Sequence, residues 1–491
     1  MFCPADTSSN PFVKQALGNI LAKFSENVLL RDEFGAFVLY REVAQIARTK
    51  PFKLACRRLV MCRFENDIWG IAGYLALLAA GAVPMMVNSD LSPSSLDEII
   101  EAYQPDYMWL PLQQASHWST AELHGSLGGY ALISLNKFSG TPDLHDDLTL
   151  LLSTSGSTGS GKYVRLSHQN VWSNASAISG YLKLTADERP ITTLPPSYSF
   201  GLSVIHSHLW VGAGLAVTKK TFFERDFWNF FKEVKATSLA GVPYHFEILN
   251  KLRFTKMKLP HLHTLTQAGG RMSPELTKDF ANFCSTNGMR FFTMYGQTEA
   301  SPRISYVPAE VAFEKAGTIG IAIPGGKLEL HSENGALISD PNIFGKLVYR
   351  GPNVCMGYAE KRSDLLLSDV NHGVLQTGDL ALRDADGYYS IVGRQTRFIK
   401  LFGNRINLQD VEDQLNSIDL SAACTGRDDL LEIYLAKVSA SKALQIKKTL
   451  ISSLSVGAEG LAVYEIDELP RFESGKIRYV DLHPYKARLI A

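Results

Sequence analysis

The segment 148–168, LTLLLSTSGSTGSGKYVRLSH, joins two apolar runs through a loop built almost entirely of glycine, serine and threonine. Glycines let backbone approach a ligand closely, and successive amides and hydroxyls donate hydrogen bonds, so such a loop can wrap a polyphosphate. From Gly156 through Gly161 to Lys162 it spells the beginning of a Walker A loop, G-x-x-x-x-G-K, but Tyr163 stands where that loop needs a magnesium-binding Ser or Thr. A Walker lysine also opens a helix whose N-terminal amides point at phosphate. Here Tyr163 to Ser167 alternate like a strand, and a helix cap first occurs at Ser167. The pattern predicts strand, loop, strand. Its plainer alternative is a glycine-rich surface hairpin carrying an ordinary lysine.

The surroundings of this loop set the fold class. Apolar strand-like runs alternate with helical stretches: LTLLLSTS, HQNVWSNASAISGYL, ITTLPPS, SFGLSVIHSHLWVGAGLAV, TSLAGVP. That alternation indicates an α/β protein with largely buried sheets. After about residue 340 the texture changes to short alternating strands, one pair joined at the hairpin signal Asp386-Gly387. Beyond Arg394 come a helix at LQDVEDQLNSI, a strand at LLEIYLAKV and an amphipathic helix at ASKALQIKKTLISSL, whose Lys442, Lys447 and Lys448 read as a solvated face. A boundary is expected near residue 396, giving domains 1–395 and 396–491. The 491 residues are long enough for about two to four domains.

One run, Ile68 to Val87, is twenty residues without a charge and imitates a membrane span. Asn66 and Asp67 offer an N-cap, Gly81 a stop and Pro84 a break, so a buried helix followed by a short strand is expected instead. The 49 basic and 49 acidic side chains cancel, leaving no global field to attract nucleic acid or an anionic membrane. Cys3, Cys56, Cys62, Cys284, Cys355 and Cys424 are scattered without a zinc or disulfide spacing, and MFCPADTSSNPF has no basic head before an apolar stretch. A reduced, cytoplasmic protein without a signal peptide is the expectation.

Four further stretches keep company with the loop: MYGQTEASPRIS, LQTGDLALRDADGYYSIVGR, LFGNRINLQDVE and PRFESGKIR. In this order, from about Leu77 (LLAAGAVP) to PRFESGKIRYVDL, the set resembles the acyl-adenylate-forming superfamily of acyl-CoA synthetases, carrier-protein adenylation domains and luciferases. The resemblance implies a large N-terminal domain of stacked α/β subdomains plus a β-rich subdomain, followed by a small mobile α+β domain. It implies ATP and Mg2+ as cofactors. A carboxylate attacks the α-phosphorus of ATP with release of pyrophosphate, and a thiol then takes the acyl group. Because three phosphates and a carboxylate must meet, positioning and charge neutralisation carry such chemistry.

By that resemblance Thr154, Ser155, Gly156, Ser157, Thr158, Gly159 and Lys162 hold the β- and γ-phosphates. Thr298 bonds the α-phosphate, and Glu299 holds magnesium, a hard ion that takes a carboxylate plus phosphate oxygens. Tyr295 stacks on adenine beside Gly269 and Gly270, Asp379 and Arg394 bind the ribose, and Arg405, after Gly403, contacts phosphate. Lys476 is the adenylation lysine, carried by a domain that rotates between half-reactions. Read singly, Tyr295 could be core, Glu299 and Asp379 element-end charges, and Arg394 and Arg405 surface residues. The chain departs from the family pattern at Gly161, Tyr163 and the hinge residue Thr396. Tyr163 is expected to add bulk beside the lysine, and Gly161 to loosen the loop.

The acyl pocket is sought in LPPSYSFGLSVIHSHLW, residues 194–210. It lacks the acid that amino-acid-activating relatives place at its start, so a free α-amino acid is disfavoured, because a desolvated ammonium without a partner is expensive. A helix over 202–210 would put Ser203, His206, Ser207 and Trp210 on one face, with Tyr198 and Phe200 nearby. His206 could equally be a satisfied core histidine. The substrate class is a small or medium aliphatic or aromatic carboxylic acid. Coenzyme A, the phosphopantetheine of a stand-alone acyl carrier protein, or an amine could receive the acyl group, and a fused carrier domain after Lys476 is not expected. A P-loop NTPase is the competing class; it requires a helix directly after Lys162.

Overall fold

The computed structural model describes residues 11–54, 57–135, 144–153, 162–394, 397–401, 404–416, 418, 420–454, 457–471, 477–482 and 488–490. Two mixed sheets of an α/β fold dominate the first three hundred or so of these. The nine-stranded sheet runs Ile321–Ala322, Arg303–Tyr306, Arg290–Gly296, Thr264–Gln267, Ser238–Gly241, Pro190–Ile191, Leu215–Val217, Val28–Asp32, Phe37–Leu39. Its six central strands are parallel, and Arg303–Tyr306 pairs antiparallel to Arg290–Gly296. The eight-stranded sheet places Val83–Met86, Leu59–Cys62 and Tyr107–Pro111 side by side and parallel, as expected of strands buried on both faces.

The helices His168–Tyr181 and Ser199–Val211 lie between the sheets, and one core cluster holds Leu29 and Leu30 from the first sheet with Val60 and Cys62 from the second. The charge-free run folds as the helix Ile68–Ala79 and the strand Val83–Met86. Asp67 Oδ1 accepts from the amides of Trp69 at 2.9 Å and Gly70 at 3.3 Å, and Gly81 takes the left-handed φ of +83° that ends the helix. Among the described residues no helix is long and apolar enough to cross a membrane.

A five-stranded antiparallel sheet follows, in the order Leu337–Ile338, Lys327–His331, Gly345–Arg350, Val374–Arg383, Tyr389–Arg394. Its last two strands form the hairpin anticipated at Asp386-Gly387, with Gly387 at φ +89°. From Phe398 onward a separate apolar cluster is built by the helices Leu408–Asn416 and Ala440–Leu454 against strands that include Ala422–Arg427, Leu430–Ala436 and Leu461–Ile466. Arg397 ties this unit together, donating to Glu412 at 2.7 Å and to the Tyr479 hydroxyl at 2.8 Å.

Candidate active site

After Lys162 the chain continues directly as the strand Tyr163–Ser167, antiparallel to Leu148–Ser153, and the helix begins only at His168. Ser167 Oγ caps it, accepting from the Asn170 amide at 3.2 Å. This is the strand–loop–strand reading, and it removes the P-loop alternative, which needs a helix there. Of the loop, Thr154, Ser155, Gly156, Ser157, Thr158, Gly159 and Gly161 lie outside the described residues, as do Thr396, Gly403 and Lys476. Arg405 is placed only as backbone, in the strand Asn404–Asn407.

Tyr163 corrects an expectation. Its ring is 2 % exposed and packs edge to face on Tyr103 with centroids 5.2 Å apart, so it belongs to the core beneath the strand and not to the space around the lysine. The reason is strand alternation: adjacent residues point to opposite faces, and Lys162 takes the other one.

Lys162 Nζ lies 3.9 Å from the centroid of the Tyr358 ring, and the Tyr358 hydroxyl donates to Glu299 Oε1 at 2.8 Å. Tyr358 therefore joins the loop lysine to the acidic residue of YGQTE. It is held there because its strand, Gly357–Ala359, pairs with Tyr163–Ser167 in the register Tyr358–Val164. Sequence reasoning missed it; only a pairing across nearly two hundred residues brings it to the site. Burial and the neighbouring Glu299 push its hydroxyl well above the ordinary tyrosine range.

The stretch Tyr295 to Glu299 sits at the carboxyl end of Arg290–Gly296, in the parallel part of the nine-stranded sheet, where open α/β sheets bind ligands. Gly296 is required there: a Cβ would collide with the Pro302 carbonyl. The Tyr295 hydroxyl donates to the Asp379 carboxylate, to which Gln297 Nε2 donates at 3.0 Å and Arg394 Nε at 2.9 Å. Asp379 is 2 % exposed, whereas the Arg394 side chain is more than half exposed. The structure thus brings Tyr295, Asp379 and Arg394 into one cluster. It adds Gln297, which the quoted YGQTE stretch contained but which drew no attention. Thr298 Oγ1 lies 3.1 Å from Ser199 Oγ, at the first turn of the helix Ser199–Val211.

Gly269, at φ +86°, and Gly270 follow the strand Thr264–Gln267; a Cβ on Gly269 would collide with the Tyr198 hydroxyl. This narrow shelf is next to two contacts with the C-terminal unit. Arg271 pairs with Asp413 at 2.8 Å, and Arg471 sits 4.8 Å from the Tyr244 ring centroid. One partly exposed carboxylate, Glu299, suits a magnesium ion that takes its other oxygens from phosphate and water.

Beneath this rim is a small cavity lined among others by Phe200, Ser203, Ser207, His208, Met294 and Arg303. Ser203 is part of its wall. His206 does not: its Nε2 lies 2.8 Å from the Tyr74 hydroxyl, its ring stacks on Tyr74 and neighbours Trp172, and Trp210 stacks on Trp172 as well. At 100° per residue His206 is turned well away from the 200/203/204/207 stripe that meets the cavity. Burial alone holds its imidazole down to about 3. Tyr198 stands at the shelf, against Gly269.

The family model for AMP-binding enzymes matches residues 57–359. A 2-succinylbenzoate--CoA ligase of Bacillus cytotoxicus is 25% identical over 459 residues, spanning 90% of this chain and 91% of its own. A long-chain-fatty-acid--CoA ligase of Escherichia coli O157:H7 is 27% identical over 68% of this chain, but the match spans only 60% of that enzyme's length. Among solved structures, the O-succinylbenzoate coenzyme A synthetase of Bacillus subtilis, in complex with ATP and magnesium, superposes with a TM-score of 0.75 at 20% identity, covering 95% of this chain and 99% of its own; this is likeness of fold. Since the family model covers more than half of the chain, the protein belongs to the AMP-binding enzymes of the acyl-adenylate-forming superfamily.

Proposed function

We propose that the protein is an ATP-dependent acid–thiol ligase that joins a small carboxylic acid to AMP, releasing pyrophosphate, and then passes the acyl group to a thiol. The observation that carries this reading is the convergence of Lys162 and Glu299 on Tyr358 beside the Tyr295–Asp379–Arg394 cluster. A lysine and a single carboxylate set one tyrosine apart can neutralise and orient a polyphosphate with its metal, while a buried carboxylate can accept from ribose hydroxyls. Magnesium, when bound at Glu299, supplies charge neutralisation for the phosphate oxygens. Thr154 to Gly159 are assigned to the β- and γ-phosphates, Thr298 to the α-phosphate, Gly269 and Gly270 to the adenine shelf, and Arg405 to phosphate. Tyr295 flanks adenine through its ring, its hydroxyl holding Asp379 in place.

Lys476 is assigned to the reacting carboxylate and α-phosphate, within a small domain that begins at residue 396. Arg471 against Tyr244 supports a docked position for that domain near the shelf. Coenzyme A is the acceptor favoured by the names of similar enzymes, with a carrier-protein phosphopantetheine as the variant that presents the same thiol. Four buried free thiols, Cys62, Cys284, Cys355 and Cys424, suit a reducing cytoplasm.

The test is acid-dependent exchange of pyrophosphate into ATP across a panel of carboxylic acids with magnesium, repeated for thioester formation with coenzyme A and with carrier proteins. Exchange is expected to require an acid and to fall by about 100-fold or more in Lys476→Ala, as expected for loss of a group that stabilises transition-state charge. Exchange that needs no acid, or that ignores Lys476, rejects the reading.

A further inference from the structure

The cavity beneath the rim contains an unbalanced charge. Arg303 is 2 % exposed, lines the cavity, and stacks its guanidinium 4.7 Å from the Phe200 ring centroid. Among the described residues it has no ion-pair partner: the groups acting on it are the hydroxyls of Tyr181, which is hydrogen-bonded to it, and Tyr198, and its Nε has no hydrogen-bond partner. A guanidinium carries five donors in a fixed fork and cannot shed its proton, so burying it without an anion is expensive.

The other polar groups on the cavity wall do not supply that anion. Ser203 and Ser207 donate to the carbonyls of Phe200 at 2.7 Å and Val204 at 3.2 Å. His208, which lines the cavity, has Nδ1 2.8 Å from the Val204 carbonyl, so Nδ1 carries the proton and Nε2 is an acceptor with no hydrogen-bond partner among the described residues. The wall thus offers one positive fork, hydroxyl oxygens, an imidazole acceptor and aliphatic surface. A purely hydrocarbon acyl chain would leave the guanidinium charge without a counter-ion, and an ammonium would be repelled by it.

Resting on the carboxylate-activating reading above, we propose that the substrate is a dicarboxylic acid: one carboxylate reacts at the rim near Thr298, and the second binds the Arg303 guanidinium inside the cavity. Phe200 connects the two ends physically. It follows Ser199, whose hydroxyl meets Thr298, and its ring carries Arg303. A planar carboxylate matches the guanidinium fork in a way a neutral amide cannot.

The experiment compares pyrophosphate exchange for glutarate, adipate and isophthalate, each against its own monoamide, in the wild-type protein with ATP and magnesium. At least one dicarboxylate is expected to exceed its monoamide in kcat/KM by about 10–100-fold, the range of a charge-assisted hydrogen bond left unmade. Arg303→Met is expected to collapse that ratio toward unity, and Arg303→Lys, which keeps the charge but loses the fork, to leave an intermediate one. The ratio in the wild type decides the matter even if a variant fails to fold. Monoamides or simple monocarboxylates used as well as the dicarboxylates, or a preference that survives in folded Arg303→Met, would overturn the inference while leaving acid activation standing. No exchange with any acid, monocarboxylates included, would overturn the underlying reading and this inference with it.

Discussion

Two arginines in this protein are buried to the same degree and surrounded in opposite ways. Arg165, 1 % exposed on the strand after the phosphate loop, donates to the carbonyls of Tyr358, Met356, Leu367 and Ser368. Arg303, 2 % exposed, has a tyrosine hydroxyl beside it, a phenyl ring under it and an Nε that meets nothing among the described residues. Among the described residues neither has a carboxylate partner. The first is saturated by its own chain and acts as a clamp on the segment 356–368; the second keeps donor capacity toward a cavity. Burial alone does not distinguish a structural cation from a binding one. The inventory of unmet donors does.

The largest expected effect exploits that contrast directly. Arg165→Met removes four hydrogen bonds to main-chain carbonyls in one step and is expected to cost about 3–4 kcal/mol of stability. Arg303→Met replaces an unmatched charge with an apolar chain of similar length and is expected to stay within about 1 kcal/mol of wild type, in either direction. All six tryptophans precede residue 229, in the stretch that supplies most strands of the two sheets on which Arg165 and Arg303 lie, so urea denaturation followed by tryptophan fluorescence reports on the unit that contains both sites. Equal losses for the two variants would erase the distinction and make Arg303 a second structural anchor.

Neither arginine could have been sorted from the sequence. In YVRLS, strand alternation suggests that Arg165 points to solvent, and it is covered only because Gly357–Ala359 and the following turn return over it. Arg303 sits in a recognisable motif, TEASPRIS, yet its surroundings come from Tyr181, Phe200 and Met294 on other elements. What could be read was local. Asp67 and Ser167 mark helix starts by side-chain chemistry, Asp386-Gly387 marks a hairpin, and Lys162 could be placed before a strand by periodicity alone. Tyr163, Tyr358 and His206 escaped because their positions depend on register and on which side of an element meets which neighbour.

A middle-sized effect sharpens the clamp's purpose. Arg165 holds the carbonyl of Tyr358, whose side chain bridges Lys162 and Glu299. Tyr358→Phe keeps the ring under the lysine but removes the bond to Glu299, and is expected to lower exchange by about 5-fold. Tyr358→Ala removes both and is expected to lower it by about 10–50-fold, with little change in melting temperature because the residue is 40 % exposed. Full activity in Tyr358→Ala would mean that the clamp stabilises a strand and positions nothing.

The smallest effect repeats the contrast on a single helix, between two histidines two residues apart. His208 lines the cavity and its Nε2 has no hydrogen-bond partner among the described residues, whereas His206 is matched by the Tyr74 hydroxyl and enclosed by Tyr74 and Trp172. Burial holds the His206 imidazole at about 3 in the folded protein, while in the unfolded chain it titrates near 6.5. Below pH 6.5 the unfolded state takes up a proton that the folded state refuses, so this histidine's contribution is fully present above that pH and declines as pH falls toward 3. No charged group contributes to the shift, so the dependence should survive high salt. Thermal melts of wild type and His206→Phe between pH 7 and pH 5 test it, within the window set by those two values. The wild-type melting temperature is expected to drop more steeply than the variant's. Parallel slopes would show that His206 takes up its proton in the folded state, and would remove the difference between the matched and the unmatched face of the helix.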